Sequence, residues 1–109
     1  MKSSLAERNC KACAPGTPAL SEKRIALLLS QLHGWKVSAG QLCKTYPFKD
    51  YHQTMAFVNA VAWIAHRQDH HPDLQVSYNR CEVRYSTHSV NGLSENDFIC
   101  AAKVDALME

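Results

Sequence analysis

Apolar residues recur at three- to four-residue spacing in three stretches of the chain and at every second residue in four others. The order of these two periods sets the expected architecture. Ile25, Leu28, Leu29 and Leu32 keep helical spacing, with Ser21 ahead of them as an N-cap, Leu20 as a staple residue and Gly34 as the stop. A first amphipathic helix is expected over about residues 22–33. Trp35, Val37 and Ala39 then alternate, and Leu42, Tyr46 and Phe48 share a second alternating face. Gly40 between the two runs predicts a hairpin turning around residues 39–41. Pro47 has no N–H for a ladder, so the second strand should end near it or lie at an edge.

Asp50 is placed to cap a long central helix in which Met55, Val58, Ala62 and Ala65 form a stripe, widened by Phe57, Val61 and Ile64. The pattern runs to Gln68, about 28 Å of helix at 1.5 Å per residue. Pro72 prevents its continuation. Leu74, Val76 and Tyr78 alternate as a third strand, Asn79-Arg80 is a short turn, and Cys81, Val83, Tyr85 and Thr87 alternate as a fourth. After the break at Asn91-Gly92, Ser94 caps a last helix over about residues 95–107. The expected order is α-β-β-α-β-β-α: an α+β domain with a four-stranded antiparallel sheet and three helices packed on one face.

Composition narrows the class. A chain of 109 residues that is 46% hydrophobic and 20% charged is one globular domain with a real core. The expected division is a partly ordered arm over residues 1–19, ending in Pro15-Gly16-Thr17-Pro18, and a folded domain over residues 20–109. The net charge of +2, with no basic run longer than Lys23-Arg24, argues against a nucleic-acid surface as the main purpose. No stretch is apolar enough for a signal peptide or a membrane span, so a cytoplasmic protein is expected. The odd count of five cysteines fits reduced thiols better than a disulfide framework. Cys43, Cys81 and Cys100 fall in apolar-patterned segments and should pack as small hydrophobes. Cys10-Lys11-Ala12-Cys13 is a C-x-x-C without a second ligand pair for a structural zinc or the strand-to-helix setting of a thioredoxin-type site.

The candidate chemistry lies in the histidines. His66, His70 and His71 crowd the junction between the long helix and the third strand, and His88 ends the fourth strand. Imidazole exchanges protons near neutral pH with little tuning. His66 and His70 are four apart on one helix face. Asp69 beside His70 would orient it and favour its protonated form. If the last two strands form a hairpin, Leu74 lies close to Ser86–His88, which brings His88 toward His70 and His71, with Asp97 in the first turn of the last helix able to approach. A metal site from His66, His70 and His88 is the rival reading. Arg67 stands where a zinc protease of the H-E-x-x-H type needs its glutamate.

Asp69-His70-His71-Pro72, Tyr78-Asn79, Ser86-Thr87-His88, Gly92-Leu93-Ser94 and Asp97 together resemble the pterin-4a-carbinolamine dehydratases. The family signature has His-His-Pro, an aromatic six residues after the proline, a histidine ten further on and an aspartate nine beyond that. His70-His71-Pro72, Tyr78, His88 and Asp97 meet every spacing. The resemblance extends over residues 20–107, and the order of elements read above is the family's. It implies dehydration of 4a-hydroxytetrahydrobiopterin to quinonoid dihydropterin, recycling the pterin of aromatic amino acid hydroxylases without a metal or organic cofactor. It implies His70, His71 and His88 as catalytic residues, His70 and His88 as the acid/base pair and His71 helping to position the pterin. Asp69, His70, His71, Ser86, Thr87, His88 and Ser89 would contact the substrate, with His66 and Asp97 in support. The implied partners are a pterin, a second copy in a homodimer and, through metabolism, phenylalanine hydroxylase, with no nucleic acid and no membrane.

Two positions depart from the family pattern. His66 stands where glutamate is frequent, so charge support for His70 should rest on Asp69. Leu74 replaces a frequent tryptophan and should remove a wall of the pocket. Two other readings go with the same scaffold. One is a pterin- or protein-binding module, since animal relatives serve as a dimerisation cofactor of a homeodomain transcription factor. The other is a relative acting in molybdopterin metabolism. The arm with Cys10 and Cys13 is similar to the N-termini of bacterial members.

Overall fold

The computed structural model describes residues 4–109, so the first three residues of the expected arm lie outside the described residues. Three helices cover one face of a four-stranded antiparallel sheet: α1 (Glu22–Leu29), β1 (Lys36–Ser38), β2 (Gln41–Pro47), α2 (Tyr51–Gln68), β3 (Asp73–Ser77), β4 (Arg80–Tyr85) and α3 (Glu95–Ala106). The strand order is β1-β2-β4-β3. The α+β architecture is the one that the alternation of periods predicts.

Local chemistry explains most boundaries. Ser21 caps α1 by accepting from the Arg24 N–H at 3.2 Å. The helix ends earlier than its apolar spacing suggests. Beyond Leu29 the N–H groups of Gln31 and Leu32 reach back three residues, a tighter turn that still buries Leu32. Ala39 (φ 52°) and Gly40 (φ 74°) both take the left-handed conformation between paired Ser38 and Gln41. Two such residues make the two-residue turn that suits a twisted hairpin. β2 pairs with β1 over Gln41–Cys43 and with β4 from Leu42 to Pro47, where the ladder stops.

The core is made by Leu42 and Tyr46 of β2, Cys81, Val83 and Tyr85 of β4, Phe57 and Val61 of α2, and Phe98, Ala101 and Val104 of α3. Helix α2 turns to the core the flank of the expected apolar face that carries Phe57 and Val61, with Val58 and Ile64 packed partly against it. Thr54, Phe57 and Val61 are its buried residues, whereas Ala62 and Trp63 are exposed. A helix with apolar residues on several sides does not fix its own rotation, and Thr54 can be buried because its hydroxyl donates to Asp50 O (2.8 Å) and Tyr78 O (3.0 Å). Cys43, Cys81 and Cys100 are buried, as their patterns predict. Among the described residues no helix is long and apolar enough to cross a membrane.

The N-terminal segment packs on α3. Leu5, in a short 3-10 turn over Ser4–Glu7, is fully buried in the core. Lys103 donates to Ala6 O at 2.8 Å, and Arg8 pairs with Glu95. Further along, the Leu20 N–H donates to Leu93 O at 2.9 Å. Gly92 is required beside it, because a Cβ there would come within 2.9 Å of Ala19 Cβ.

Candidate active site

Two chain reversals meet at the open end of the β3–β4 hairpin. The first ends α2. Asp69 takes the left-handed conformation (φ 50°, ψ 44°) and its N–H returns to the helix carbonyls, which turns the chain sharply. His70 and His71 follow immediately, and Pro72 leads into β3. The second follows β4, which stops at Tyr85. Thr87 N donates to Gly92 O at 2.8 Å and closes a small loop, whose 3-10 turn His88–Val90 carries His88 and Ser89 outward. The hairpin register sets these segments face to face. Asp73 pairs with Arg84 and Leu74 with Val83, so Leu74 sits opposite the strand interior and not beside Ser86–His88 as expected. The ladder ends at the Asp73–Arg84 pair, and His71 and Ser86 each lie two residues beyond it on their own segment.

The resulting cleft, of about 220 Å³, is lined by Asp69, His70, His71, Asp73, Arg84, Ser86, Thr87, His88 and Ser89. All seven residues expected at the substrate lie there, joined by Asp73 and Arg84. A second cavity, of about 560 Å³, shares Asp69, His70, Thr87 and Ser89 and continues along Cys10–Cys13, Arg67, Gln68 and Asn96. The N-terminal arm is therefore a wall of the same recess. Small-molecule sites usually run to ~300–1,000 Å³, so the two cavities together offer the room that the first alone lacks.

His70 is the most constrained of the histidines. Its Nε2 lies 2.6 Å from Asp97 Oδ1, and its ring stacks on Tyr85 with planes 10° apart and centroids 5.8 Å apart. Asp97 is fully buried, and its carboxylate is met by an imidazole nitrogen, a hydroxyl and a backbone N–H. Its Oδ2 accepts from Thr87 Oγ1 and from the Ser94 N–H, each at 2.9 Å. Asp97 thus closes the first turn of α3 on its cap and anchors His70 across the domain. The hydrogen bond to Asp97 raises the His70 pKa above its ordinary value; burial opposes this, and the charges of Asp97, Cys10 and Asp69 reinforce it. The carboxylate supporting His70 is accordingly Asp97 first. Exposed Asp69 serves chiefly as the helix stop.

The other histidines stand differently. His71 and His88 are exposed on facing sides of the cleft. His66 is exposed on α2, its ring 5.3 Å from that of Trp63, and does not line the cleft. Among the described residues no three His, Cys, Asp or Glu side chains gather as a metal-ligand set. Tyr78 is exposed in the β3–β4 turn, remote from the cleft lining, and Leu74 packs against the core.

Arg84 was not among the expected site residues, although strand alternation places it on the face of β4 opposite Val83 and Tyr85. Its guanidinium makes two contacts with Glu82, at 2.9 and 3.3 Å. Gln68 and Asn96, which seat the arm, carry no signal in the sequence beyond polarity.

Comparisons with known proteins bear on the family and the fold. The family described as pterin 4 alpha carbinolamine dehydratase matches residues 18–107. A protein of Nitrosospira multiformis, named provisionally as a pterin-4-alpha-carbinolamine dehydratase, is 56% identical over 105 residues, covering 96% of this chain and 93% of its own length. One from Stenotrophomonas maltophilia with the same provisional name is 59% identical over 107 residues, covering 96% and 92%. The crystal structure of a transcriptional coactivator/pterin dehydratase from Brucella melitensis superposes with a TM-score of 0.80 at 32% identity, over 84% of this chain and 99% of that one. A pterin dehydratase-like protein identified as a RuBisCO assembly factor in the alpha-carboxysome gives 0.59 at 27% identity, over 69% and 89%. With the family matched over nearly the whole chain and the fold shared, the chain belongs to the pterin-4-alpha-carbinolamine dehydratase family.

Proposed function

We propose that the protein dehydrates a 4a-hydroxytetrahydropterin to the quinonoid dihydropterin, with His70 as the acid and His88 as the base. The observation that carries this reading is the His70–Asp97 contact at the floor of a cleft that also presents His71 and His88. The carbinolamine must lose hydroxide from C4a and a proton from a ring nitrogen. Hydroxide leaves poorly, so a proton delivered to it as the C–O bond breaks lowers the barrier. Asp97 holds His70 toward its protonated form and occupies Nε2, which leaves Nδ1 to make the delivery. Exposed His88 accepts the nitrogen proton, and solvent exchange returns both rings to their starting states. Placed proton transfer of this kind is worth ~10²–10⁴-fold. His71, Ser86 and Ser89 are suited to hold the polar edge of the pterin, while the Thr87 hydroxyl is already engaged by Asp97 and Ser94.

The same reading makes the protein a cytoplasmic recycler of tetrahydropterin spent by an aromatic amino acid hydroxylase, with phenylalanine hydroxylase as its functional partner. It also favours a homodimer. β3 is an edge strand pairing only with β4, and Val76 on it is 40% exposed. An unpaired strand edge with apolar side chains is a template for a second copy. The test of the function is the decay of 4a-hydroxytetrahydropterin generated in situ, followed by absorbance with and without chelator-treated protein. Acceleration that survives chelation supports the reading. Decay at the spontaneous rate rejects it in favour of a binding protein on this scaffold.

A further inference from the structure

The proposed reaction gives no role to the cysteines of the arm, yet one of them meets a core cysteine. Cys10 Sγ lies 3.5 Å from Cys100 Sγ, one turn beyond Asp97 on α3. The contact is held from several sides. The Cys10 N–H donates to Gln68 Oε1 at 2.7 Å, and Cys10 Sγ lies 3.6 Å from Asn96 O. Lys11 and the Asn96 amide exchange a pair of hydrogen bonds, of 3.1 and 2.7 Å. Cys100 is fully buried, whereas Cys10 is partly exposed and lines the cavity shared with His70.

We propose that Cys10 and Cys100 form a redox modification site, a dithiol that hydrogen peroxide converts into a disulfide tying the N-terminal arm to α3. Cys10 is the attacking sulfur, being the one that reagents reach from the cavity. Its thiolate attacks one peroxide oxygen, the O–O bond breaks, and hydroxide leaves to take up a proton as water, giving a sulfenic acid. The Cys100 sulfur then attacks the Cys10 sulfur, the S–O bond breaks, and the departing hydroxide takes the Cys100 proton as a second water. Two thiols lose two electrons to one peroxide. The thiolate is the reactive form. The hydrogen bond from Cys100 lowers the Cys10 pKa, the positive charges of His70 and Lys103 assist, and burial and Asp97 oppose. The same contact, followed by burial, raises that of Cys100, so the two sulfurs divide into nucleophile and resolving thiol.

Closure to a bond of ~2.05 Å asks for about 1.5 Å of approach. The arm can supply it, because side-chain hydrogen bonds and not a backbone ladder hold it at Cys10. The bond also removes a negative charge facing His70, leaving Asp97 and Asp69. In a reducing compartment it would be transient. Cys43 and Cys81, buried with their sulfurs against backbone carbonyls, stay outside the chemistry.

The test treats the folded, reduced chain with equimolar hydrogen peroxide, quenches with iodoacetamide and maps non-reduced peptides by mass. The expected product is an intrachain peptide pair joining Cys10 to Cys100, unalkylated at both and about 2 Da lighter than its two thiol peptides together. Dithiothreitol should reverse the change. The bond should form equally in Cys13→Ser and be absent from Cys10→Ser, a substitution in the arm that leaves the core intact. Without peroxide, iodoacetamide at neutral pH should label Cys10 faster than Cys13. A Cys10–Cys13 bond, a bond between chains, or labelling of Cys10 no faster than of Cys13 would overturn the proposal. No pterin turnover enters these readouts, so they succeed or fail independently of the dehydratase reading.

Discussion

His70 Nε2 and Asp97 Oδ1, 27 residues apart in the chain, are 2.6 Å apart in the fold. This contact ties the turn after α2 to the first turn of α3 and makes the electrostatics of the cleft depend on a carboxylate outside it. Asp97→Asn keeps the shape and an acceptor for the Ser94 N–H but removes the charge. The expected outcome is a His70 pKa that falls back toward or below its ordinary value, read by NMR titration of the imidazole. Dehydration at neutral pH should fall by about 10²-fold, the lower end of what placed proton transfer supplies.

The same pair predicts how stability depends on pH. The folded-state pKa of His70 lies above its unfolded value of ~6.5. Its contribution is therefore fully present below pH ~6.5 and is lost as the pH rises through the folded value. Urea midpoints of the native chain and His70→Gln should differ more at pH 6 than at pH 9. A gap that stays constant, or widens with pH, contradicts the assignment.

Thr87 is expected to matter without touching substrate. Its hydroxyl donates to Asp97 Oδ2 at 2.9 Å and pairs with Ser94 Oγ at 2.7 Å. Thr87→Val leaves a buried carboxylate oxygen short of a donor, a cost of about 1–3 kcal/mol. Chemical denaturation should show that loss, with kcat reduced less than in Asp97→Asn and KM nearly unchanged.

His66 offers the opposite case. It is exposed on α2 and contacts Trp63, not the cleft. His66→Ala should leave the dehydration rate within about twofold and stability within about 0.5 kcal/mol, as for most surface substitutions. A tenfold fall in kcat/KM would return His66 to the site.

How much of this was legible in the sequence follows from what each signal encodes. Alternation in Cys81, Val83 and Tyr85 reports a half-buried strand directly, and all three are buried. Helix α2 was legible in extent, because Asp50 and Pro72 bracket it. Its rotation was not, since Ala62 and Ala65 count as apolar whether or not they face the core. The cleft residues Asp69 to His71 and Ser86 to Ser89 could be paired because a hairpin brings its two ends together. The partner of His70 was harder to find. Sequence adjacency favours Asp69, but the left-handed turn there sends the chain away, and only the packing of α3 brings Asp97 to the imidazole. Leu5 was hidden for a related reason. A lone leucine among small and polar residues of the arm has no period, yet it is fully buried.

The most direct measurement is the single-turnover decay of 4a-hydroxytetrahydropterin with the native chain, His70→Ala, His88→Ala and the double substitution. The account predicts a clear acceleration by the native chain and losses of about 10²-fold or more in each single variant. The double variant should be little worse than the poorer single one, because acid and base serve one proton-transfer step. Full activity in either single variant would contradict the assignment of His70 and His88 as that pair.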